Sequence, residues 1–193
     1  IESHRDNKNW WRVYGLGLLG ELVGRIFTGW QIIDEIPHHA RLMCRWLDFG
    51  YSNDPTSIGD IYYYDGGYIV DERMYQTGML NPALAKFLLN LENPETIVVA
   101  DSAEPKSIDE IKMAGVNIIG VSKQRGESKT DTFVKWSIGL VQDQRFSMTA
   151  RSINTIKEYR SYLWLTDKDG KILNEEDPKL ANHSMRGIAY GIV

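Results

Sequence analysis

A short apolar strand, a helix and a second apolar strand follow one another between residues 96 and 121, and this order constrains the fold more than any other feature. Residues 96–100 (TIVVA) form an apolar run that is typical of a strand covered on both faces. Ser107 is predicted to cap a helix that ends at Gly115, and residues 116–121 (VNIIGV) predict the second strand. Strands joined through a helix run parallel with a right-handed crossover. The sequence therefore predicts an α/β fold.

A meander of strands is predicted before this unit. Asp65-Gly66-Gly67 is a strong signal for a tight turn between two of its strands. A helix follows from Asn81, which can cap it with Pro82 at the first helical position. A meander followed by a parallel pair indicates one mixed central sheet flanked by helices. The meander strands are predicted at residues 45–50, 58–64 and 68–74.

The C-terminal third is predicted to add helices, a strand and a late β-hairpin. Apolar residues at helical spacing and an Asp-Gly turn signal support these assignments. The elements are a helix at residues 128–141 capped by Ser128, a strand at 146–149, a helix at 152–162, a hairpin at 164–173 turning at Asp169-Gly170, and a closing helix at 182–193.

The N-terminal segment is rich in aromatic residues, β-branched residues and glycines, which favours short strands and turns. Residues 15–20 match the dinucleotide-binding pattern GxGxxG. Gly24 and Gly29 interrupt the helix that this pattern requires, so we interpret the glycines as turns between strands. Pro37 and the polar residues after it predict a boundary between a β-rich lead-in segment, residues 1–40, and a main domain, residues 41–193.

Composition excludes several classes of protein. A single cysteine, Cys44, excludes an internal disulfide framework and a zinc site built from several cysteines. No apolar run approaches the roughly 18 residues of a membrane span, so no membrane partner is expected.

The charges are unevenly distributed along the chain. Residues 51–122 carry four basic against eleven acidic side chains, whereas residues 123–193 carry twelve basic against nine acidic ones. This uneven charge distribution fits a domain that binds both cations and a polyanion, although acidic residues on solvated faces would give the same pattern.

Two aspartates stand at the ends of apolar strands. Asp48 ends the strand in RWLDFGYS, and Asp101 directly follows TIVVA. If the two strands are neighbours, the carboxylates converge, and two like charges so close require a cation between them. Oxygen ligands select hard ions such as Mg²⁺ or Mn²⁺. Each aspartate taken singly could instead cap a helix or turn.

At these residues the chain resembles the nuclease domain of the large terminase subunit of tailed bacteriophages. The likeness covers nearly the whole chain and depends on the order and spacing of several blocks. The blocks are YGLGLLGELVGRIFTGW, similar to the family's lead-in strand; LDFGYSNDPTS and VVADSAEP, similar to its two catalytic strands; GVSKQRGESKTD, similar to its basic loop; EYRSYLW with DKDGK, similar to its late hairpin region; and NHSMRGIAYGIV, similar to its closing helix.

The resemblance implies an RNase H-like fold in which Asp48, Asp101 and a carboxylate on the last helix hold two Mg²⁺ or Mn²⁺ ions for DNA hydrolysis. The family's last block reads approximately NH-x-x-D-A-x-R-Y, and Arg186 occupies the aspartate position here. An arginine cannot bind a metal ion. We therefore expect impaired cleavage, and the alternative is that another group, with His183 the nearest candidate, supplies the missing ligand.

A basic loop after the second strand of the parallel pair is predicted to bind DNA. Lys123, Arg125 and Lys129 form a local excess of positive charge there together with Lys135. Such residues contact phosphates, which gives salt-dependent affinity with little sequence preference. A solvated loop is the alternative interpretation.

Three functions are consistent with these features. The first is a metal-dependent endonuclease domain that cuts concatemeric viral double-stranded DNA during genome packaging. The second is a DNA-holding module that Arg186 makes inactive, and the third is an RNase H-like nuclease of recombination or repair. The resemblance further implies an ATPase domain before residue 1, a portal and a small terminase subunit as partners, and action at the procapsid in the host cell cytoplasm.

Overall fold

A computed structural model of the chain describes residues 24–122, 133–168 and 171–193. Within them, seven strands form one sheet in the order β1-β7-β4-β3-β2-β5-β6, and β8 and β9 form a separate hairpin. The strands are β1 (Gln31–Ile33), β2 (Arg41–Asp48), β3 (Thr56–Tyr64), β4 (Gly67–Gln76), β5 (Val98–Ala100), β6 (Ile118–Gly120), β7 (Phe146–Thr149), β8 (Trp164–Thr166) and β9 (Ile172–Glu176).

The central sheet is mixed, as the sequence predicts. Strands β2, β3 and β4 are antiparallel neighbours, whereas β5 pairs in parallel with both β2 and β6. The turn between β3 and β4 has positive φ angles at Asp65 (46°) and Gly66 (70°), a backbone that Gly, Asp and Asn adopt most readily. The Asp-Gly-Gly signal therefore sets this hairpin.

Four of the five described helices begin close to their predicted positions, with local differences, and α3 is described only from Phe133 onward. They are α1 (Asn81–Leu89), α2 (Pro105–Met113), α3 (Phe133–Gln142), α4 (Ile153–Ser161) and α5 (His183–Ile192). Ser107 lies inside α2 and does not cap it, because Pro105 already has the fixed φ angle that suits a first helical turn. Leu80, rather than Asn81, occupies the position before α1. Ser128 lies outside the described residues.

Two apolar clusters cover the two faces of the sheet, because alternate residues of a strand point to opposite faces. On β2, Trp46 belongs to the cluster that includes residues of α3, α4 and α5. The next residue, Leu47, belongs to the cluster that includes Leu84 and Leu88 of α1 and Ile111 of α2. Strand β5 is thus covered on both faces, as its apolar sequence predicts, whereas Ile119 of β6 is 43% exposed because β6 lies at the edge of the sheet.

The described part of the lead-in segment is packed into the same core. Strand β1 pairs in parallel with β7 at the edge of the sheet, and Phe27 is buried. The Trp30 ring stacks on the rings of Phe146 and Tyr159, with centroids 4.5 and 5.0 Å away. The division at residue 40 stays a prediction, and the glycine pattern at residues 15–20 lies outside the described residues.

In the part of the chain that the structure describes, no helix has both the length and the apolar character to cross a membrane.

Candidate functional site

Asp48 and Asp101 lie at the ends of neighbouring parallel strands. Leu47 pairs with Ala100 in the register of β2 and β5, and each aspartate is the next residue along its strand direction. Neighbouring strands lie about 4.8 Å apart, so the two residues share one edge of the sheet. The structure therefore brings the predicted acidic pair together, while the roles of the two residues stay predictions.

Asp48 is largely buried and paired with a histidine. Its Oδ2 atom lies 2.9 Å from Nδ1 of His183, the first residue of α5. Burial raises the pKa of the Asp48 carboxyl, and the negative charge of Asp101 raises it further. The hydrogen bond from His183 and the positive charge of Arg186 act in the opposite direction. A bound cation would relieve the cost of the buried charge.

Hydrogen bonds from Ala103 and Tyr190 orient Asp101. Its Oδ1 atom accepts from the backbone N–H of Ala103 at 2.9 Å, and its Oδ2 atom accepts from the Tyr190 hydroxyl at 3.1 Å. Tyr190 is only 4% exposed, and burial, followed by the charges of Asp48 and Asp101, raises the pKa of its hydroxyl. Tyr190 therefore stays protonated and donates to Asp101.

His183 lies between two carboxylates. Its Nε2 atom is 3.8 Å from Oδ1 of Asp54, an exposed residue of the β2–β3 loop, while Nδ1 contacts Asp48. The hydrogen bond to Asp48 is the main reason that the pKa of His183 is raised. The structure therefore places the predicted substitute ligand at the acidic pair, where its Nδ1 is already engaged.

Arg186 is held by an acid that the sequence analysis missed. Its Nε donates to Oε2 of Glu176 at 3.1 Å, and its Nη2 also contacts the Glu176 carboxylate. Glu176 ends β9 and also accepts a hydrogen bond from the Tyr162 hydroxyl at 2.5 Å. Glu175 and Glu176 are adjacent in the sequence, but no local pattern shows which of them faces α5.

Glu158 is a second functional residue that the sequence did not reveal. Its carboxylate is buried in α4 and accepts hydrogen bonds from the backbone N–H groups of His183, Ser184 and Met185 at 2.7 to 3.3 Å. The Tyr75 hydroxyl donates to it at 2.6 Å. Four donors occupy both oxygens, so Glu158 fixes the start of α5 and is not available as a metal ligand.

The remaining predicted site residues belong to the basic loop. Lys123, Arg125 and Lys129 lie outside the described residues, and the DNA-binding role assigned to them stays a prediction. Lys135 lies in α3. A cavity of about 540 Å³ is lined by the β2–β3 loop and the first residues of α1, including Phe49, Tyr51, Asp54 and Asn81, and neither Asp48 nor Asp101 is among its lining residues.

The described residues provide two carboxylates for a metal ion, and no third. Among residues 24–122, 133–168 and 171–193, no group of three or more histidine, cysteine, aspartate or glutamate side chains is arranged to hold an ion. Asp48 and Asp101 converge, whereas Arg186 occupies the position where the family resemblance predicted another acid. The donor set therefore fits one hard divalent ion, completed by water, and does not fit a second ion.

Comparisons with known proteins agree with this geometry. Residues 48–193 match the family described as the terminase RNase H-like domain. The terminase large subunit of Bacillus phage SPP1 is 29% identical over 149 residues, which are 75% of this chain and 34% of that protein. The chain thus spans about a third of the length of this curated relative.

Solved structures confirm the predicted fold. The nuclease domain of the large terminase of bacteriophage SPP1, crystallised with bound Mn, has a TM-score of 0.71 at 22% identity and covers 88% of this chain and 97% of that one. The large terminase nuclease of thermophilic phage G20c, crystallised with bound magnesium, has a TM-score of 0.63 at 13% identity, with 89% and 97% covered. The mixed sheet flanked by helices is thus an RNase H-like fold.

Proposed function

The chain belongs to the terminase RNase H-like domain family, as the sequence predicted, and on this premise we propose that it is the metal-dependent endonuclease domain of a viral genome-packaging terminase. Its substrate would be concatemeric double-stranded DNA. The observation that carries the proposal is the register of β2 and β5, which brings Asp48 and Asp101 to one edge of the sheet.

Asp48 and Asp101 would hold an Mg²⁺ or Mn²⁺ ion, the metals present in the crystals of the SPP1 and G20c nuclease domains. An ion bound there would polarise the scissile phosphate and lower the pKa of an attacking water. The protein's own groups fix the ligands: Tyr190 and the Ala103 N–H orient Asp101, and His183 orients Asp48. Such supporting hydrogen bonds pre-organise a metal site before the ion arrives.

Arg186 is expected to impair the reaction. The family resemblance predicts two ions and a third carboxylate, and the guanidinium of Arg186 offers no lone pair to a metal. Its positive charge also disfavours a further cation nearby. We therefore propose that this chain cleaves DNA slowly compared with a variant that carries an acid at position 186.

Cleavage of a supercoiled plasmid in Mg²⁺ and in Mn²⁺ tests the proposal. We expect slow, metal-dependent nicking that Asp48→Asn and Asp101→Asn each abolish, because an amide is a poor ligand for a hard cation. Asp109→Asn is the matched control, since Asp109 is exposed on α2. Cleavage that persists in both site variants, or that proceeds at the same rate in EDTA, would exclude this site as the nuclease centre.

The Arg186–Glu176 ion pair favours a second candidate function, a module that holds DNA without cutting it. In that case no cleavage occurs in either metal, while DNA binding and its salt dependence persist. Cleavage by the unmodified chain in Mg²⁺ and in Mn²⁺ therefore separates the two candidates, and restored cleavage in Arg186→Asp would show for either one that only the third carboxylate is missing. Membership in the terminase family favours both over a recombination or repair nuclease.

The partners follow from the same proposal. Double-stranded DNA is the substrate, and an ATPase domain, the portal and the small terminase subunit are the partners that the family resemblance implies. The site of action would be the procapsid in the host cell cytoplasm.

Lys123, Arg125 and Lys129 are proposed to contact DNA phosphates, so alanine at these positions should weaken binding and lower its salt dependence.

A further inference from the structure

Three residues of α5 line the acidic edge of the sheet. His183, Arg186 and Tyr190 are three and four residues apart in turn, which places them on one face of the helix. His183 contacts Asp48 at one end of this face, and Tyr190 contacts Asp101 at the other. Arg186 lies between them along the helix, so its charged side chain belongs to the same edge as the two carboxylates.

The Arg186 guanidinium is fixed at this edge. Glu176 contacts both its Nε and its Nη2, and the Tyr162 hydroxyl in turn donates to Glu176. The side chain is 25% exposed, so the pair is partly shielded from water. A guanidinium with a bidentate carboxylate partner keeps one orientation, unlike a flexible surface arginine.

The positive charge of Arg186 belongs to the helix face that makes both contacts to the acidic pair. His183, three residues before it, contacts Asp48, and Tyr190, four residues after it, contacts Asp101. The protein therefore already carries a fixed positive charge on the element that lines this edge. Two divalent ions beside a permanent guanidinium would place five positive charges beside three carboxylates, those of Asp48, Asp101 and Glu176, which opposes binding of the second ion.

We propose that the Arg186 guanidinium is a fixed cation that takes the place of one of the two divalent ions, so that this chain binds a single Mn²⁺ ion at Asp48 and Asp101. The inference rests on the nuclease proposal and adds a specific metal stoichiometry to it. It differs from simple loss of the third ligand, because it assigns Arg186 an electrostatic influence on the ion that does bind.

The number of bound Mn²⁺ ions per chain tests the proposal. We would titrate the 193-residue chain with MnCl₂ and follow free Mn²⁺ by electron paramagnetic resonance and heat by calorimetry. The wild type should bind one ion, and Arg186→Asp should bind two. Arg186→Gln, which keeps the size but removes the charge, should bind one ion with a roughly three- to tenfold lower Kd, because the repulsion is gone.

Arg160→Gln is the control for general surface charge, since Arg160 is exposed on α4. This substitution should leave both the stoichiometry and the Kd for Mn²⁺ unchanged. Two ions in the wild type, a single ion in folded Arg186→Asp, or an unchanged Kd in Arg186→Gln would each overturn the inference. No ion in the wild type but two in Arg186→Asp would also overturn it, since Arg186 would then block the site. If neither the wild type nor any variant binds Mn²⁺, the metal site of the proposed function does not exist, and this inference fails together with that function.

Discussion

Gly187 of α5 lies directly against Trp46 of β2, and a β-carbon at residue 187 would be 2.1 Å from the indole Cδ1 atom. This contact brings the backbone of α5 close to the sheet and holds His183 and Tyr190 within reach of Asp48 and Asp101. Trp46 is fully buried and cannot move aside. We therefore expect Gly187→Ala to lower the free energy of unfolding by about 1–3 kcal/mol, measured by urea denaturation.

Gly139 provides the matched control for this substitution. It lies within α3, and no atom comes within 4 Å of a β-carbon built at that position. Gly139→Ala should therefore stabilise the protein by about 0.5–1 kcal/mol through helix propensity alone. Equal effects of the two substitutions would show that the contact with Trp46 does not determine the position of α5.

Each member of the acidic pair was predictable, because each leaves a local signal. An apolar run followed by an aspartate marks the end of a buried strand, and the helix between residues 100 and 118 favours parallel pairing of β5 with β6. That β2 and β5 are neighbours was only a condition of the sequence analysis, and the pairing of Leu47 with Ala100 in the structure meets it. Arg186 was also visible in the sequence, as a basic residue where the family resemblance predicts an acid.

The supporting groups were not predictable, since their partners are distant in the chain. Glu158 caps a helix that starts 25 residues later, and the edge strand β1 pairs with β7 more than a hundred residues downstream. A carboxylate on an amphipathic helix has the same sequence signature whether it faces solvent or another helix. Only the packing of α4 against α5 distinguishes the two cases.

Glu158 should be essential for the position of α5. Its carboxylate accepts four hydrogen bonds while only 2% exposed, and Glu158→Gln would turn an amide N–H₂ group toward backbone N–H donors. We expect a loss of about 2–4 kcal/mol in the free energy of unfolding, measured in urea. Glu95→Gln, at an exposed position, should change it little. A Glu158→Gln protein as stable as the wild type would mean that the cap is dispensable.

Cys44 should make stability depend on alkaline pH. Burial, followed by the charge of Asp60, raises the pKa of its thiol from 9.0 to about 12. The unfolded chain therefore loses this proton at lower pH than the folded chain does, and the contribution to stability falls as pH rises from about 9 toward 12. The expected slope is about 1.4 kcal/mol per pH unit for this one proton.

Urea unfolding of the wild type and of Cys44→Ala between pH 7.5 and 10.5 isolates this effect, because the other groups titrate in both proteins. The difference in unfolding free energy between the two should stay constant below pH 8.5 and decrease above pH 9. Parallel curves across the whole range would show that the thiol ionises equally in the folded and unfolded chains. Reaction of Cys44 with a disulfide reagent should likewise require unfolding, since the thiolate is the reactive form.

Tyr190 should set the metal affinity through Asp101 without binding the ion itself. Its hydroxyl donates to Oδ2 of Asp101, and loss of a hydrogen bond that orients a metal ligand typically costs tenfold or more in affinity. We expect Tyr190→Phe to raise the Kd for Mn²⁺ by about tenfold while the unfolding midpoint in urea moves little, because the buried ring is retained. Tyr63→Phe removes an exposed hydroxyl from β3 and should leave the Kd unchanged. If Tyr190→Phe binds Mn²⁺ as tightly as the wild type, then the Tyr190 hydroxyl is not what orients Asp101 for the ion.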